Sequence, residues 1–168
     1  EIKCSKRCTV PEVNDPRVKY VRQELSVVQM ADWYRSLAAF VSASCGEGFG
    51  LEPLEAMACG KPVIATRYSG HAEYLDDSVG YTVRYNLVPA SGIYADMGLW
   101  AEPDVWSLAD RLREVYRDPA AASEKGAMAL ARAQNFPWDR SGDVFLQILS
   151  ASVAFDPKNE PRGRRKVI

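Results

Sequence analysis

Two glutamates that flank a glycine-rich turn are the residues of this chain best suited to chemistry. Glu47 precedes Gly48 and Gly50, and Glu55 follows them. Glycines let a backbone approach a ligand closely, and a helix that begins after them presents unpaired N–H groups to anions. A carboxylate can accept hydrogen bonds from two vicinal hydroxyls. The residues alone therefore fit a phosphate-plus-sugar site, and they fit equally a turn whose glycines serve only backbone geometry.

The position of Glu55 on a helix sharpens this choice. Leu51, Glu55 and Ala58 share one stripe of a helix predicted over about 51–59, and we expect that stripe to face inward. An inward carboxylate needs a partner, because an unpaired buried charge is strongly destabilising. A buried arginine, a backbone amide or the hydroxyls of a ligand would each serve. Glu52 lies off the stripe and is predicted to be a solvated charge.

Strands and helices alternate around these residues. Five short apolar runs predict strands, at 2–4, 18–21, 39–43, 62–66 and 80–83. The run at 62–66 is typical of a parallel strand buried on both faces. This order predicts an α/β fold with a Rossmann-like parallel sheet flanked by helices. The turn at 48–51, called the glycine turn below, would then lie at the carboxyl ends of the strands, where ligands bind.

Cap signals and apolar spacing predict the helices. Ser26 and Gln29 match a capping box, and Gly60 and Asp104 are placed to end one helix and begin another. The stretch 86–102 predicts a long irregular loop. The inward residues of three helices are predicted to be Val27, Met30, Ala31, Tyr34 and Leu37, then Val105, Leu108, Leu112 and Val115, and, in the last helix, Val144, Phe145, Ile148 and Leu149.

Composition limits the class of protein. The 168 residues carry 21 Lys+Arg against 22 Asp+Glu, and 47% are hydrophobic, which excludes a disordered chain and a basic nucleic-acid-binding surface. We predict one domain over 1–155 and a flexible basic tail over 156–168. Because the chain begins with Glu1, we interpret it as part of a longer protein. Cys4 and Cys8 lack a second ligand pair and His71 stands alone, so we predict free thiols and no metal.

A resemblance adds to these expectations. The segment EGFGLEPLEAMACGKPVIAT at 47–66 resembles the glutamate-x7-glutamate signature of family 4 (group 1) retaining glycosyltransferases. The similarity extends through SGHAE at 69–73, WAEPD at 100–104 and FPW at 136–138, and it covers most of 18–150. It implies the C-terminal, donor-binding half of a GT-B fold. The first strand and helix of that half would precede residue 1.

The resemblance also implies roles for individual residues. Glu47 would be catalytic and contact hydroxyls of the transferred sugar, and Glu55 would bind the ribose hydroxyls of the nucleotide. Val21 and Arg22 would lie near the nucleobase. The glycine turn would hold the sugar and diphosphate through Gly48, Phe49, Gly50 and Leu51.

The expected partners are a nucleotide-diphosphate sugar as donor and a hydroxyl acceptor, whether glycan, lipid or small molecule, on an N-terminal domain outside this chain. The resemblance implies no metal or cofactor. From the free thiols we expect a cytoplasmic protein, for which peripheral membrane contact stays open. The family's Arg and Lys that neutralise the departing diphosphate would also precede residue 1, so we expect this chain alone to be inactive. Two alternatives are a non-catalytic nucleotide-sugar-binding module and a GT-B phosphorylase or hydrolase.

Overall fold

The computed structural model describes residues 1–4 and 13–153. The predictions that concern Cys8 and the tail at 156–168 lie outside these residues. Along the chain the elements are β1 (Ile2–Lys3), β2 (Tyr20–Val21), α1 (Val27–Ser36), β3 (Phe40–Ser42), α2 (Leu51–Ala58), β4 (Val63–Thr66), β5 (Tyr81–Val83), β6 (Tyr85–Pro89), β7 (Leu99–Pro103), α3 (Val105–Arg117), α4 (Pro119–Ala133) and α5 (Trp138–Val153).

Parallel strands form the centre of the fold. β3, β4 and β5 lie side by side in that order, with Phe40 opposite Val63 and Ile64 opposite Tyr81. β1 and β2 make a separate parallel pair, with Ile2 opposite Tyr20. In the three-stranded sheet α2 connects β3 to β4, and a short 3-10 helix, Ser69–Glu73, lies between β4 and β5, in keeping with the crossover connections that parallel strands need. The predicted α/β class and its five strands are confirmed.

The hydrophobic core lies on both faces of β4, whose four residues are fully buried. Because side chains alternate along a strand, Val63 and Ala65 join one buried cluster with residues of α1, α2 and α4. Ile64 joins a second cluster with Tyr81, against which Leu108 of α3 packs. This burial on both faces explains why the strand is almost wholly apolar.

Local signals in the sequence set the helix ends as predicted. The Ser26 hydroxyl accepts from the Gln29 amide at 3.3 Å, and the Gln29 side chain accepts from the Ser26 amide at 2.9 Å. Gly60 follows α2 with a φ of +71°. The Asp104 carboxylate accepts from two amides at the start of α3. Such N-caps each stabilise a helix by about 1 kcal/mol.

The stretch 86–102 corrects the prediction of an irregular loop. It forms most of an antiparallel hairpin of β6 and β7, in which Leu87 lies opposite Ala101. The Ala101 amide also donates to the Cys45 carbonyl at 2.9 Å, which fastens the hairpin beside the glycine turn. The sequence did not reveal this hairpin because its strands are held by cross-strand pairs and by a contact some 55 residues away along the chain.

The last helix, α5, is where predicted, but its predicted burial is wrong. Every residue from 138 to 151 is exposed. The four residues expected in the core retain 43% to 60% of their accessible surface, namely Val144, Phe145, Ile148 and Leu149. Apolar spacing predicts an amphipathic helix but cannot say what covers its apolar face.

The predicted inward faces of α1 and α3 need smaller corrections. Val27 is 88% exposed at the start of α1, whereas Tyr34 on the same face is buried. On α3, Leu108 and Val115 pack against the core, but Val105 and Leu112 are exposed. Among residues 1–4 and 13–153, no helix is long and apolar enough to cross a membrane.

Candidate functional site

The glycine turn connects β3 to α2 and can be made only with glycine at position 50. Gly50 has a φ of +78°, which side chains disfavour, and it precedes the first residue of α2. A Cβ on Gly50 would lie 2.4 Å from the His71 ring. Among the described residues no side chain caps α2, so the amides of its first turn stay available to an anion.

A second loop, residues 66–74, contacts and supports the glycine turn. The Gly70 amide and the Ser69 hydroxyl both donate to the Glu47 carbonyl, at 3.1 and 2.7 Å. A Cβ on Gly70 would lie 2.4 Å from the Phe49 Cα, so the two backbones are in direct contact. Ser69 itself has a φ of +54°, an uncommon conformation that persists where surrounding structure enforces it.

Two buried aromatic side chains of this supporting loop hold the turn. The Tyr74 hydroxyl donates to the Gly50 carbonyl at 2.5 Å. Burial, and then the charges of Glu47 and Glu52, raise the pKa of Tyr74, so its hydroxyl stays a donor at neutral pH. His71 donates from Nδ1 to the Thr66 carbonyl at 2.9 Å, because a carbonyl can only accept. Its buried Nε2 has no hydrogen-bond partner among the described residues.

Glu47 has a fixed backbone and an uncommitted side chain. Its carbonyl takes the two hydrogen bonds from the supporting loop, and the residue is partly exposed. Within residues 1–4 and 13–153, its carboxylate makes no hydrogen bond or ion pair. The two oxygens can therefore accept from hydroxyl groups of a ligand.

Glu55 is exposed, and the prediction that it faces inward is wrong. The buried face of α2 consists of Pro53, Leu54, Ala56 and Met57. The stripe of Leu51, Glu55 and Ala58 is real, but it lines an open cleft of about 1030 Å³. The Glu55 Oε2 accepts a hydrogen bond from the Tyr34 hydroxyl at 3.0 Å. Its partner is thus a phenol, which was not among the expected alternatives.

This cleft of about 1030 Å³, called the larger cleft below, is lined by aromatic rings and by charged groups. Phe49 and Phe136 lie on its wall, with ring centroids 6.0 Å apart. Glu73 and Arg140 line it together with Glu55. Such a mixture of apolar rings and a few polar groups is typical of a small-molecule site. Nothing in the sequence pointed to Arg140, because it lies 85 positions from Glu55.

A smaller cleft of about 380 Å³ lies on the other side of Glu47 along the chain. It is lined by residues 44–46 and by Tyr94, Met97 and Trp100 of the hairpin region. Residues 49 and 51 line the larger cleft. Glu47 and Gly48 therefore lie along the chain between residues of the smaller cleft and residues of the larger cleft.

The structure brings together most, but not all, of the residues singled out in the sequence. Phe49, Leu51 and Glu55 line the larger cleft, and Glu47, Gly48 and Gly50 belong to the turn beside it. Val21 and Arg22 lie at and after the end of β2, and neither lines that cleft. The Arg22 guanidinium lies 5.5 Å from the centre of the Tyr20 ring. Sequence reasoning missed Tyr74 and gave Tyr34 only a packing role.

Comparisons with known proteins identify relatives of this chain. The family model described as "Glycosyl transferases group 1" matches residues 12–118. D-inositol 3-phosphate glycosyltransferase of Arthrobacter sp. (strain FB24) is 36% identical over 125 residues, which are 74% of this chain and 26% of that protein. The enzyme of the same name from Kribbella flavida is 32% identical over 117 residues, 70% of this chain and 24% of that protein. This chain thus spans about a quarter of the length of these relatives.

A solved structure shows the same fold. Sucrose-phosphate synthase from Thermosynechococcus elongatus superimposes with a TM-score of 0.63 and 28% sequence identity. The match covers 80% of this chain and 31% of that one. It supports the predicted GT-B type of α/β architecture.

Proposed function

Because this chain belongs to the group 1 glycosyl transferases, we propose that it is the donor-binding part of a retaining enzyme. That enzyme transfers a sugar from a nucleotide-diphosphate sugar to a hydroxyl acceptor. One observation carries the proposal. Two carboxylates flank an uncapped helix N-terminus, with Glu47 uncommitted beside it and Glu55 on the wall of an aromatic cleft.

In this proposal the diphosphate lies against the glycine turn. The first-turn amides of α2 and the positive end of the helix dipole attract its charge. The nucleoside occupies the larger cleft, where Glu55 accepts from the ribose hydroxyls and the aromatic walls offer apolar surface to the base. The cations that neutralise the departing diphosphate come from outside this chain, and no metal ion takes part.

Glu47 acts on the sugar. Its carboxylate orients hydroxyls of the transferred ring and stabilises the positive charge that develops at the anomeric carbon. An interaction that strengthens as charge develops raises kcat rather than affinity. The acceptor hydroxyl is bound by an N-terminal domain that faces this one across a separate cleft between the two domains. We also propose that the protein works in the cytoplasm.

The test uses the full-length protein and three classes of donor, the UDP-, GDP- and ADP-sugars. Calorimetry should show binding of one class, and that donor should be consumed only when a hydroxyl acceptor is present. NMR should show that the product keeps the anomeric configuration of the donor. Residues 1–168 alone should transfer no sugar.

Other outcomes would overturn the proposal in distinct ways. Binding without consumption under any condition would identify a non-catalytic module. Transfer to phosphate or water in place of a hydroxyl acceptor would identify a phosphorylase or a hydrolase. An inverted anomer would contradict retention alone.

A further inference from the structure

Tyr34 connects the core of the domain to the proposed ribose site. Its hydroxyl donates to the Glu55 Oε2 at 3.0 Å, across 21 positions of sequence. We propose that Tyr34 is a positioning residue that holds the Glu55 carboxylate for the ribose hydroxyls, and so sets the preference for ribonucleotides over deoxyribonucleotides. This inference rests on the proposed function, because it takes Glu55 as the ribose contact.

The Tyr34 ring is itself firmly held. The residue is 2% exposed and belongs to the larger buried cluster. Its ring centre lies 5.2 Å from that of Trp33 and 5.7 Å from that of Phe40, the latter in an edge-to-face arrangement. The capping box at Ser26 fixes the start of the same helix. The hydroxyl therefore reaches Glu55 from a rigid base.

The direction of this hydrogen bond does not change near neutral pH. Burial, followed by the charge of Glu55, raises the pKa of Tyr34 above its ordinary value. The phenol stays protonated and donates, and Glu55 accepts. One carboxylate oxygen is thus committed to the core.

The second oxygen, Oε1, has no hydrogen-bond partner among residues 1–4 and 13–153. A carboxylate fixed at one oxygen presents the other in a defined direction, and such preorganisation lowers the entropy lost on binding. Glu55 is exposed and lines the larger cleft. A ribose that offers two vicinal hydroxyls gains from this orientation, whereas a 2′-deoxyribose has lost one of the hydroxyls that would use it.

The experiment compares Tyr34→Phe with the wild type in the full-length protein. The ligands are UDP, GDP and ADP and their 2′-deoxy counterparts, with affinities measured by calorimetry. The wild type should prefer the ribonucleotide of its preferred base. Tyr34→Phe should weaken the binding of that ribonucleotide roughly three- to ten-fold, the usual range for the loss of one hydrogen bond. Its affinity for the deoxynucleotide should change far less, so the preference should fall.

Two controls separate positioning from stability. Tyr81→Phe removes a hydroxyl from another tyrosine that is 2% exposed, on β5 and away from the cleft. It should leave the ribose preference unchanged. In a Glu55→Ala background, Tyr34→Phe should have no further effect on nucleotide affinity, because the carboxylate that it positions is gone.

A second variant keeps the test decisive if Tyr34→Phe fails to fold. Glu55→Asp changes only an exposed residue. The aspartate side chain is one methylene shorter, so its carboxylate lies farther from the Tyr34 hydroxyl. It should also lower the ribose preference, and an unchanged preference would overturn the proposal.

The remaining outcomes distinguish this inference from the proposed function. A wild type that prefers ribonucleotides, with a Tyr34→Phe variant that prefers them equally, would overturn the role of Tyr34 alone. A wild type that binds both sugars equally would overturn the ribose assignment of Glu55 and, with it, this inference. Absence of nucleotide binding by the wild type would overturn both proposals.

Discussion

The glycine turn and helix α5 both line the larger cleft, and they are held in different ways. Buried groups fix the turn: Tyr74 bonds the Gly50 carbonyl, and Gly70 touches the Phe49 backbone. On α5, every residue from 138 to 151 is exposed, and a Cβ on Gly142 would meet no atom within 4 Å apart from the adjacent backbone of its own helix.

This difference in support suggests different roles for the two walls of the site. A group that stabilises a transition state must be placed within a fraction of an ångström, which requires support from packed neighbours. Regions with few buried contacts open locally at low free energy. We therefore expect the wall with the glycine turn to control the chemistry, and the α5 wall to tolerate change. Four predictions test this contrast.

The largest effect should follow from Glu47→Gln, on the rigid wall. The change keeps the shape of the side chain but removes its charge, so kcat of the full-length enzyme should fall by about 10²-fold or more. Donor affinity should change little, because the glutamine side chain can still hydrogen-bond the sugar hydroxyls. The melting temperature should also change little, because the carboxylate has no partner among the described residues. Near-normal kcat with normal donor affinity would remove Glu47 from the active site.

Glu55→Ala should weaken binding rather than turnover. Because the ribose is common to both ligands, the nucleoside diphosphate and the nucleotide sugar should each lose roughly 1.5 to 3 kcal/mol of binding free energy. Glu52→Ala is the matched control, since it removes the same charge from the exposed first turn of α2 and lies off the cleft. It should not weaken binding. Equal calorimetric affinities for Glu55→Ala and the wild type would contradict the ribose assignment.

Gly70→Ala tests the support of the turn. The new methyl would collide with the backbone of Phe49 and Gly48, so we expect a loss of about 1 to 3 kcal/mol in the free energy of unfolding. Gly48→Ala is the matched control, because its Cβ would have no atom within 4 Å apart from its own chain neighbours. It should keep the stability of the wild type, as measured by denaturant unfolding. Equal stability of the two variants would mean that the loops are not in contact.

The smallest effect should come from Gly142→Ala on α5. Alanine favours a helix interior over glycine by up to about 1 kcal/mol. Because α5 has no buried residue from 138 to 151, the gain should appear as slower amide exchange within that helix. Donor affinity should be unchanged. A rise in the melting temperature of the whole domain would show that α5 unfolds together with the core, which would break the contrast between the two walls.

Features encoded by neighbouring residues could be predicted from the sequence. The capping box at Ser26, the cap at Asp104 and the turn at Gly60 each depend on contacts within four residues, so their residue types suffice to identify them. The buried strand β4 was predictable because alternation does not matter when both faces are covered. The glutamate pair and its glycines were visible because they all lie in one short segment, 47–55, although their roles come from resemblance and stay predictions.

Only the tertiary structure decided how these pieces face one another. Glu55 is exposed to a cleft and bonded to Tyr34, and the Gly50 carbonyl is bonded to Tyr74. The hairpin is fastened to Cys45, while the apolar face of α5 stays exposed. Helical spacing shows which residues share a face, but what that face meets depends on chain segments 20 to 90 positions away. Those contacts form only when the core has packed, and no local pattern encodes them.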